Sequence, residues 1–345
     1  MERDGSTPAM FFRQHLERFE TLLGLTPIRT VTIDVLGRPR RIHLKLEGQN
    51  LTGSVKGRTA YGLVRGLAED GLLRPGVELL ESTSGNLGVA LASMARYLGV
   101  GFSAVVDPMI TAECRQRLAE LGATVITVDR PDPAGGYLLS RLATVRELVA
   151  TDDRYVWANQ YENPRNPEIH RTMTGPEILG QLPEPPDALF AAISTGGTFA
   201  GLAQYFREHS PRTRLVAVDI NGSVAVGGPP GTRHLSGIGA SRRSSFLEPD
   251  MIDQVAYASI AEAAYYCRLV LQESGIHLGG SSGAVLAACV RYLAAHPDTV
   301  EPLCVCADGG EKYQSTIYND EWLESIGEPA DLPGVHRTRT AATVR

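Results

Sequence analysis

The order of its short apolar runs constrains this chain more than any other feature. VELLES, GFSAVV, TVITVD, ALFAAIS, RLVAVDI and PLCVCA are brief and rich in Val, Ile or Leu. Runs of this length suit strands buried on both faces, as in a parallel sheet. Between them lie TAECRQRLAELGA, SRLATVRELVA and AEAAYYCRLVLQESG, whose apolar residues recur at helical spacing. The last ends in Gly275, a helix stop. Repeated strand–helix–strand order predicts an α/β protein with mostly parallel sheets. One stretch departs from it: TVTIDVLGRPRRIHLKLE reads as two alternating runs around Leu36-Gly37-Arg38-Pro39, a hairpin.

A length of 345 residues has room for two domains, each with its own core. A net charge of −6 argues against a nucleic-acid partner, which calls for a basic face. The charged N-terminus MERDGSTPAMFFRQHLERFE lacks the apolar segment of a secretion signal, and no apolar run reaches the roughly 18 residues of a membrane span. The five cysteines show no CxxC spacing and the eight histidines no HExxH or HxxxH pair, so no metal site is expected. Cys304 and Cys306 would share one face of a strand as buried, reduced thiols. A reducing cytoplasm is the expected location. The polar, basic end LPGVHRTRTAATVR reads as a frayed tail.

Four Gly/Ser/Thr loops fall at strand-to-helix turns, where open α/β sheets bind ligands. They are LTGSVKGR, STSGN (Ser82 to Asn86), STGGT (Ser194 to Thr198) and GGSSGA (Gly279 to Ala284). In STGGT, the amides of Thr195, Gly196, Gly197 and Thr198 can converge on one anion at a helix start. Two nucleotide readings come close. Asp219 closes the next strand as a ribose-binding acid would, but Gly196, Gly197 and Gly201 do not make GxGxxG. Gly48 and Gly53 are spaced as in an ATP-binding loop, yet the GK[ST] that must follow is missing. Lys56 stands at a helix start, where a cation is disfavoured. Beside a phosphate cup it can be the Schiff-base lysine of pyridoxal phosphate.

KLEGQNLTGSVKGR, ESTSGNLGVALA, YENPRNPEIHRTMTGPEI, STGGTFAG, GIGAS, GGSSGA and DGGEKYQST, in that order, resemble the β-substituting fold-type II pyridoxal phosphate enzymes, the family of cysteine synthases and cystathionine β-synthase. The resemblance spans about residues 20 to 320. It implies two three-layer α/β/α domains with the cofactor in the cleft between them. Residues 10–49 plus 161–326 would form the large cofactor-binding domain and 50–160 a smaller, mobile one, with 327–345 a flexible tail. It also implies a homodimer.

Carried across by motif, Lys56 would be the catalytic, cofactor-bound lysine. Asn86 would meet the cofactor's ring oxygen, Ser194, Thr195, Gly196, Gly197 and Thr198 its phosphate, and Ser281 its pyridine nitrogen. Thr83, Ser84, Gly85 and Gln160 would bind the substrate carboxylate. A neutral hydroxyl at the ring nitrogen makes a weaker electron sink than a carboxylate there, which points to loss of a good β-leaving group.

Within the family, IDVLGRPRRIHLKLEG, STSGNLGVALA, DPAGGYLLSRL and GIGASRRSSFLEP are similar to the branch that builds 2,3-diaminopropionate for siderophores or antibiotics. That likeness implies small amino-acid substrates: O-phospho-L-serine, with phosphate leaving, and the amine of L-glutamate as nucleophile. Gly57 follows the lysine where the family often has Asp. Leu87, Ser194, Tyr161 and Arg242 also depart from the cysteine synthase pattern and point away from sulfide. Tyr161 and Arg242 are the substrate-facing candidates among them, Arg242 for a phosphate or a carboxylate. A cysteine synthase using sulfide is the alternative; a nucleotide-binding dehydrogenase is more distant.

Overall fold

A computed structural model describes residues 7–131 and 136–329. Residues 132–135 of the DPAGGYLLSRL segment and the expected tail from 330 on lie outside them.

In chain order the elements begin with α1 (Pro8–Leu23), β1 (Ile28–Val35), β2 (Arg38–Leu46), α2 (Lys56–Glu69), β3 (Glu78–Ser82) and α3 (Asn86–Leu98). Then come β4 (Gly101–Val106), α4 (Ala112–Glu120), β5 (Thr124–Thr127), α5 (Leu138–Thr151), β6 (Tyr155–Trp157), α6 (Arg165–Ile169) and α7 (Gly175–Gln181). β7 (Ala188–Ala192), α8 (Gly197–His209), β8 (Arg214–Ile220), β9 (Gln254–Ala258), α9 (Ile260–Ser274), α10 (Gly280–Ala295), β10 (Pro302–Cys306) and α11 (Asp320–Ser325) complete the series. Every strand expected from an apolar run forms. β6 and β9 have partly exposed, weakly apolar sequences and were not anticipated.

The described chain divides into two compact units. The first holds the residues up to Gly24, Asn50–Thr52 and Lys56–Ile169. Its sheet, in the order β5-β4-β3-β6, is parallel throughout. Strands β3, β4 and β5 follow one another outward, and the chain then returns to place β6 on the other side of β3. The gap between β3 and β6 is therefore a topological switch point, with a crevice beyond the strand ends. Helix α1 packs in this unit through Phe12, Leu16, Phe19 and Leu23, a buried stripe at helical spacing.

The second unit holds Leu25–Gln49, Gly53–Val55 and the residues from His170 on. Its sheet runs β1-β2-β10-β7-β8-β9, parallel except for the β1–β2 hairpin. Here the switch point lies between β7 and β10. Alternate residues of each central strand serve opposite faces. Phe190, Val216, Val218, Cys304 and Cys306 pack with residues of α9 and α10. Leu189, Leu215, Ala217, Leu303 and Val305 pack with Phe199, Leu202 and Phe206 of α8. The sheet is thus buried on both sides, as the unbroken apolar runs require, and Cys304 and Cys306 do share a face. Each large apolar side chain so buried stabilises the fold by roughly 1.5–3 kcal/mol.

The hairpin turns at Leu36-Gly37 alone. Val35 pairs with Arg38, and the two loop residues have φ of 55° and 79°, the left-handed pair of a primed turn. The Gly37 amide donates to Asp34 Oδ1 at 2.7 Å. Arg38 and Pro39, expected in the turn, begin β2 instead. Pro39 is tolerated because β2 pairs with β10 only from His43 onward. Behind the hairpin, Lys45 is fully buried. Its Nζ donates to Thr26 O at 2.6 Å, to Gln181 Oε1 at 2.8 Å and to the Glu177 carboxylate.

Candidate active site

Strand β3 delivers the Ser82–Asn86 loop to the switch point of the first unit. The loop turns at Gly85 and α3 starts at Asn86. Thr83 donates its amide to Val105 O at 3.0 Å and accepts the Gly88 amide on its Oγ1 at 3.0 Å. Ser84 Oγ accepts from Arg141 Nη1 at 3.3 Å, and Arg141 Nε lies 3.3 Å from Asp107 Oδ2. Gln160 follows β6 on the other side of the crevice, and its Nε2 donates to Ser82 O at 2.9 Å. The structure therefore brings Gln160 to the STSGN loop, which lies 78 residues earlier in the chain. Tyr161, the next residue, is half-buried.

Lys56 is the first residue of α2 and is partly buried. Desolvation pushes its amine down to about 8, and the nearby Glu81 carboxylate offsets part of that. Glu81, the penultimate residue of β3, is fully buried. Burial raises its carboxyl to about 7, against the hydrogen bonds from the Gln160 and Ser82 amides. Gly57, which departs from the family pattern, packs tightly. A Cβ there would lie 2.3 Å from Thr52 Oγ1 and 3.1 Å from Leu23.

In the second unit, β7 leads into Ser194–Thr198. Gly196 adopts φ 94°, and α8 begins at Gly197. This left-handed residue turns successive amides toward the helix axis, the geometry of an anion cup. A Cβ at Gly196 would lie 2.1 Å from Ser244 Oγ, so only glycine fits. Ser244 Oγ donates to Thr195 O at 2.7 Å and clamps the segment carrying Arg242 against the cup. Arg242 is half-buried. On the far side, Thr198 Oγ1 meets the fully buried His170 Nε2 at 3.2 Å, and His170 Nδ1 meets Thr174 Oγ1 at 2.9 Å. Ser281 stands in the first turn of α10, almost wholly buried, and its Oγ has no hydrogen-bond partner among the described residues. A buried hydroxyl without a partner is costly unless a ligand satisfies it.

Both nucleotide readings lose their footing here. Asp219 is fully buried, and its Oδ1 accepts the Ile220 amide at 2.8 Å. A Cβ at Gly48 would lie 2.6 Å from Gly309 N, so that glycine serves close backbone packing.

Several groups were not anticipated from sequence: Glu81, Asp107, Arg141, His170, Arg233 and Ser244. Arg233 braces the GIGAS loop, donating to Ala240 O at 2.9 Å and Ser241 Oγ at 2.8 Å. Only Glu81 carried a signal, as an acid after the apolar pair Leu79-Leu80 and directly before the Ser82–Asn86 loop.

One unit thus offers a lysine whose amine is easily deprotonated. The other offers an anion cup and an unsatisfied hydroxyl at a helix start. Within the second unit, the cup and the hydroxyl are donors that fit the phosphate and the ring nitrogen of pyridoxal phosphate; within the first, the Lys56 amine is a group that can form its imine. The comparisons agree. The family model described as "Pyridoxal-phosphate dependent enzyme" matches residues 20–305. An N-(2-amino-2-carboxyethyl)-L-glutamate synthase of Ralstonia nicotianae is 44% identical over 305 residues, 88% of this chain and 90% of that protein. Among solved structures, an O-acetylserine dependent cystathionine β-synthase from Helicobacter pylori is 30% identical with a TM-score of 0.81, covering 87% of this chain and 98% of that one. A hydrogen sulfide-producing enzyme from Fusobacterium nucleatum is 27% identical with a TM-score of 0.79, covering 86% and 97%. The chain belongs to the pyridoxal-phosphate dependent enzyme family, and pyridoxal phosphate is its cofactor.

Proposed function

We propose that this enzyme joins O-phospho-L-serine and L-glutamate by β-replacement, releasing phosphate and forming N-(2-amino-2-carboxyethyl)-L-glutamate. The 44% identity to the Ralstonia synthase named for that product carries the reading. The product is a step toward 2,3-diaminopropionate for a siderophore or antibiotic. The enzyme works as a cytoplasmic homodimer, and its 50–160 domain closes on the substrate carboxylate.

Bound pyridoxal phosphate supplies the electron sink that lets a Cα–H bond of an amino acid ionise. Ser194–Thr198 would anchor its phosphate, Asn86 would meet its ring oxygen and Ser281 its ring nitrogen. The neutral Ser281 supports elimination of a β-leaving group. Lys56 would hold the cofactor at rest, and its amine, once displaced by the substrate's amine, would be the base. An amine with a pKa near 8 is deprotonated often enough at neutral pH to take the α-proton. Phosphate leaves Cβ, the glutamate nitrogen bonds to Cβ, and Lys56 returns the proton to Cα. Thr83, Ser84, Gly85 and Gln160 hold the α-carboxylate throughout. Arg242 pairs with the leaving phosphate or a glutamate carboxylate, and Tyr161 orients the incoming amine.

The test is to give the holoenzyme O-phosphoserine with either L-glutamate or sulfide, and to weigh the products by mass spectrometry. The glutamate conjugate is expected, with one phosphate released per conjugate. Arg242→Ala should raise the KM of one of the two substrates about tenfold or more. Cysteine in place of the conjugate would instead establish the sulfide reading.

A further inference from the structure

We propose that Glu81 is the positioning residue of the substrate-carboxylate subsite. Its carboxylate ties together the two loops that flank the switch point of the first unit, so that Ser82–Asn86 and Gln160 act as one rigid surface. The proposal rests on the reading of these loops as the amino-acid binding site.

The geometry is reciprocal. Glu81 Oε1 accepts the Ser82 amide at 2.9 Å, and Oε2 accepts the Gln160 amide at 3.0 Å. In return, Gln160 Nε2 donates to Ser82 O at 2.9 Å. Asn166 Nδ2 holds the Gln160 carbonyl at 2.7 Å, and Asn159 enters the turn with a left-handed φ of 55°. Gln160 is thus held to the scaffold through its backbone amide and through its side-chain amide, which reaches both Ser82 O and the Glu81 carboxylate. β3 and β6 pair from Glu78–Tyr155 as far as Leu80–Trp157, and beyond that last rung these side-chain bonds hold the loops in register.

The geometry calls for two accepting oxygens on one side chain. Both partners are N–H donors, so both oxygens must accept, and glutamine would turn an NH2 group toward one of them. Glu81 is fully buried, where a charge is costly, and a neutral residue would serve the fold alone at lower cost.

The experiment compares native and Glu81→Gln holoenzyme. The KM for O-phospho-L-serine should rise about tenfold or more, while kcat at saturation changes less and the absorbance band of the Lys56-bound cofactor is kept. In the cofactor-free protein, the Ser82 and Gln160 amides should exchange at least tenfold faster in the variant. An unchanged KM, or unchanged protection of both amides, overturns the proposal. A second measurement needs no variant: in the native protein the two amides should open together, with protection factors within about tenfold of each other. Wider disagreement also overturns it. If native holoenzyme shows no spectral response to O-phosphoserine, the β-replacement reading has failed. Amide exchange then still decides whether Glu81 anchors the two loops.

Discussion

At Lys56 the first turn of a helix holds an amine where the helix end is itself positive. Both that field and burial favour the neutral form. In the cofactor-free protein this has a thermodynamic consequence. Between about pH 8 and the ordinary lysine value of 10.5, the unfolded chain binds a proton that the native state does not. Native stability contributed at this site therefore rises with pH across that window, and Lys56→Ala should remove the slope in pH-resolved unfolding. In the holoenzyme the same variant should lose the borohydride-trappable imine. It should also lower turnover by at least about 10²–10⁴, the usual contribution of a positioned base. Lys56 was legible because its loop announces itself locally. Glu81 and Arg141 were not, because their meaning depends on partners 79 and 57 residues away.

At the scale of elements, sequence reading succeeded where periodicity was strong. The apolar runs gave strands, and Gly275 ended α9 with φ 70°. It failed on β9, whose residues Gln254 and Val255 are exposed, and on β6, which is three residues long. The hairpin was found but its turn was placed too broadly, since Pro39 reads as a turn residue and here lies in a strand. Gly280 and Gly283 of the GGSSGA motif also have a plainer role than ligand binding. A Cβ at Gly280 would lie 2.4 Å from Leu235, and one at Gly283 would lie 2.0 Å from Ala263 O, so they let α10 pack closely. At the turn, Leu36 holds φ 55° with its side chain 74% exposed. A leucine is strained there and asparagine is not, so Leu36→Asn should stabilise the protein by about 1 kcal/mol. A raised urea midpoint at unchanged activity would be the sign of it.

For the whole molecule, the alternating pattern was enough to predict an α/β protein with parallel sheets, and the ordered motifs were enough to predict the family. The buried charges were not legible. Nothing in KLEG itself marks its charges as buried, yet Lys45 and Glu47 are fully buried, since their partners Thr26, Glu177 and Gln181 come from other parts of the chain. The cysteines, read as buried, reduced thiols, bear on something further. All are free; Cys267, Cys289, Cys304 and Cys306 are buried in the second unit, whereas Cys114 is half-buried in the first. Burial pushes the Cys267 thiol up to about 12, and that of Cys306 higher still, so neither reacts while the core stays closed. The chain thus carries its own clock for the opening of one unit. Under an alkylating reagent, one label should be added early, and the other four should arrive together at the rate at which the six-stranded core opens. Stepwise arrival resolved by mass would instead reveal that this core comes apart in pieces.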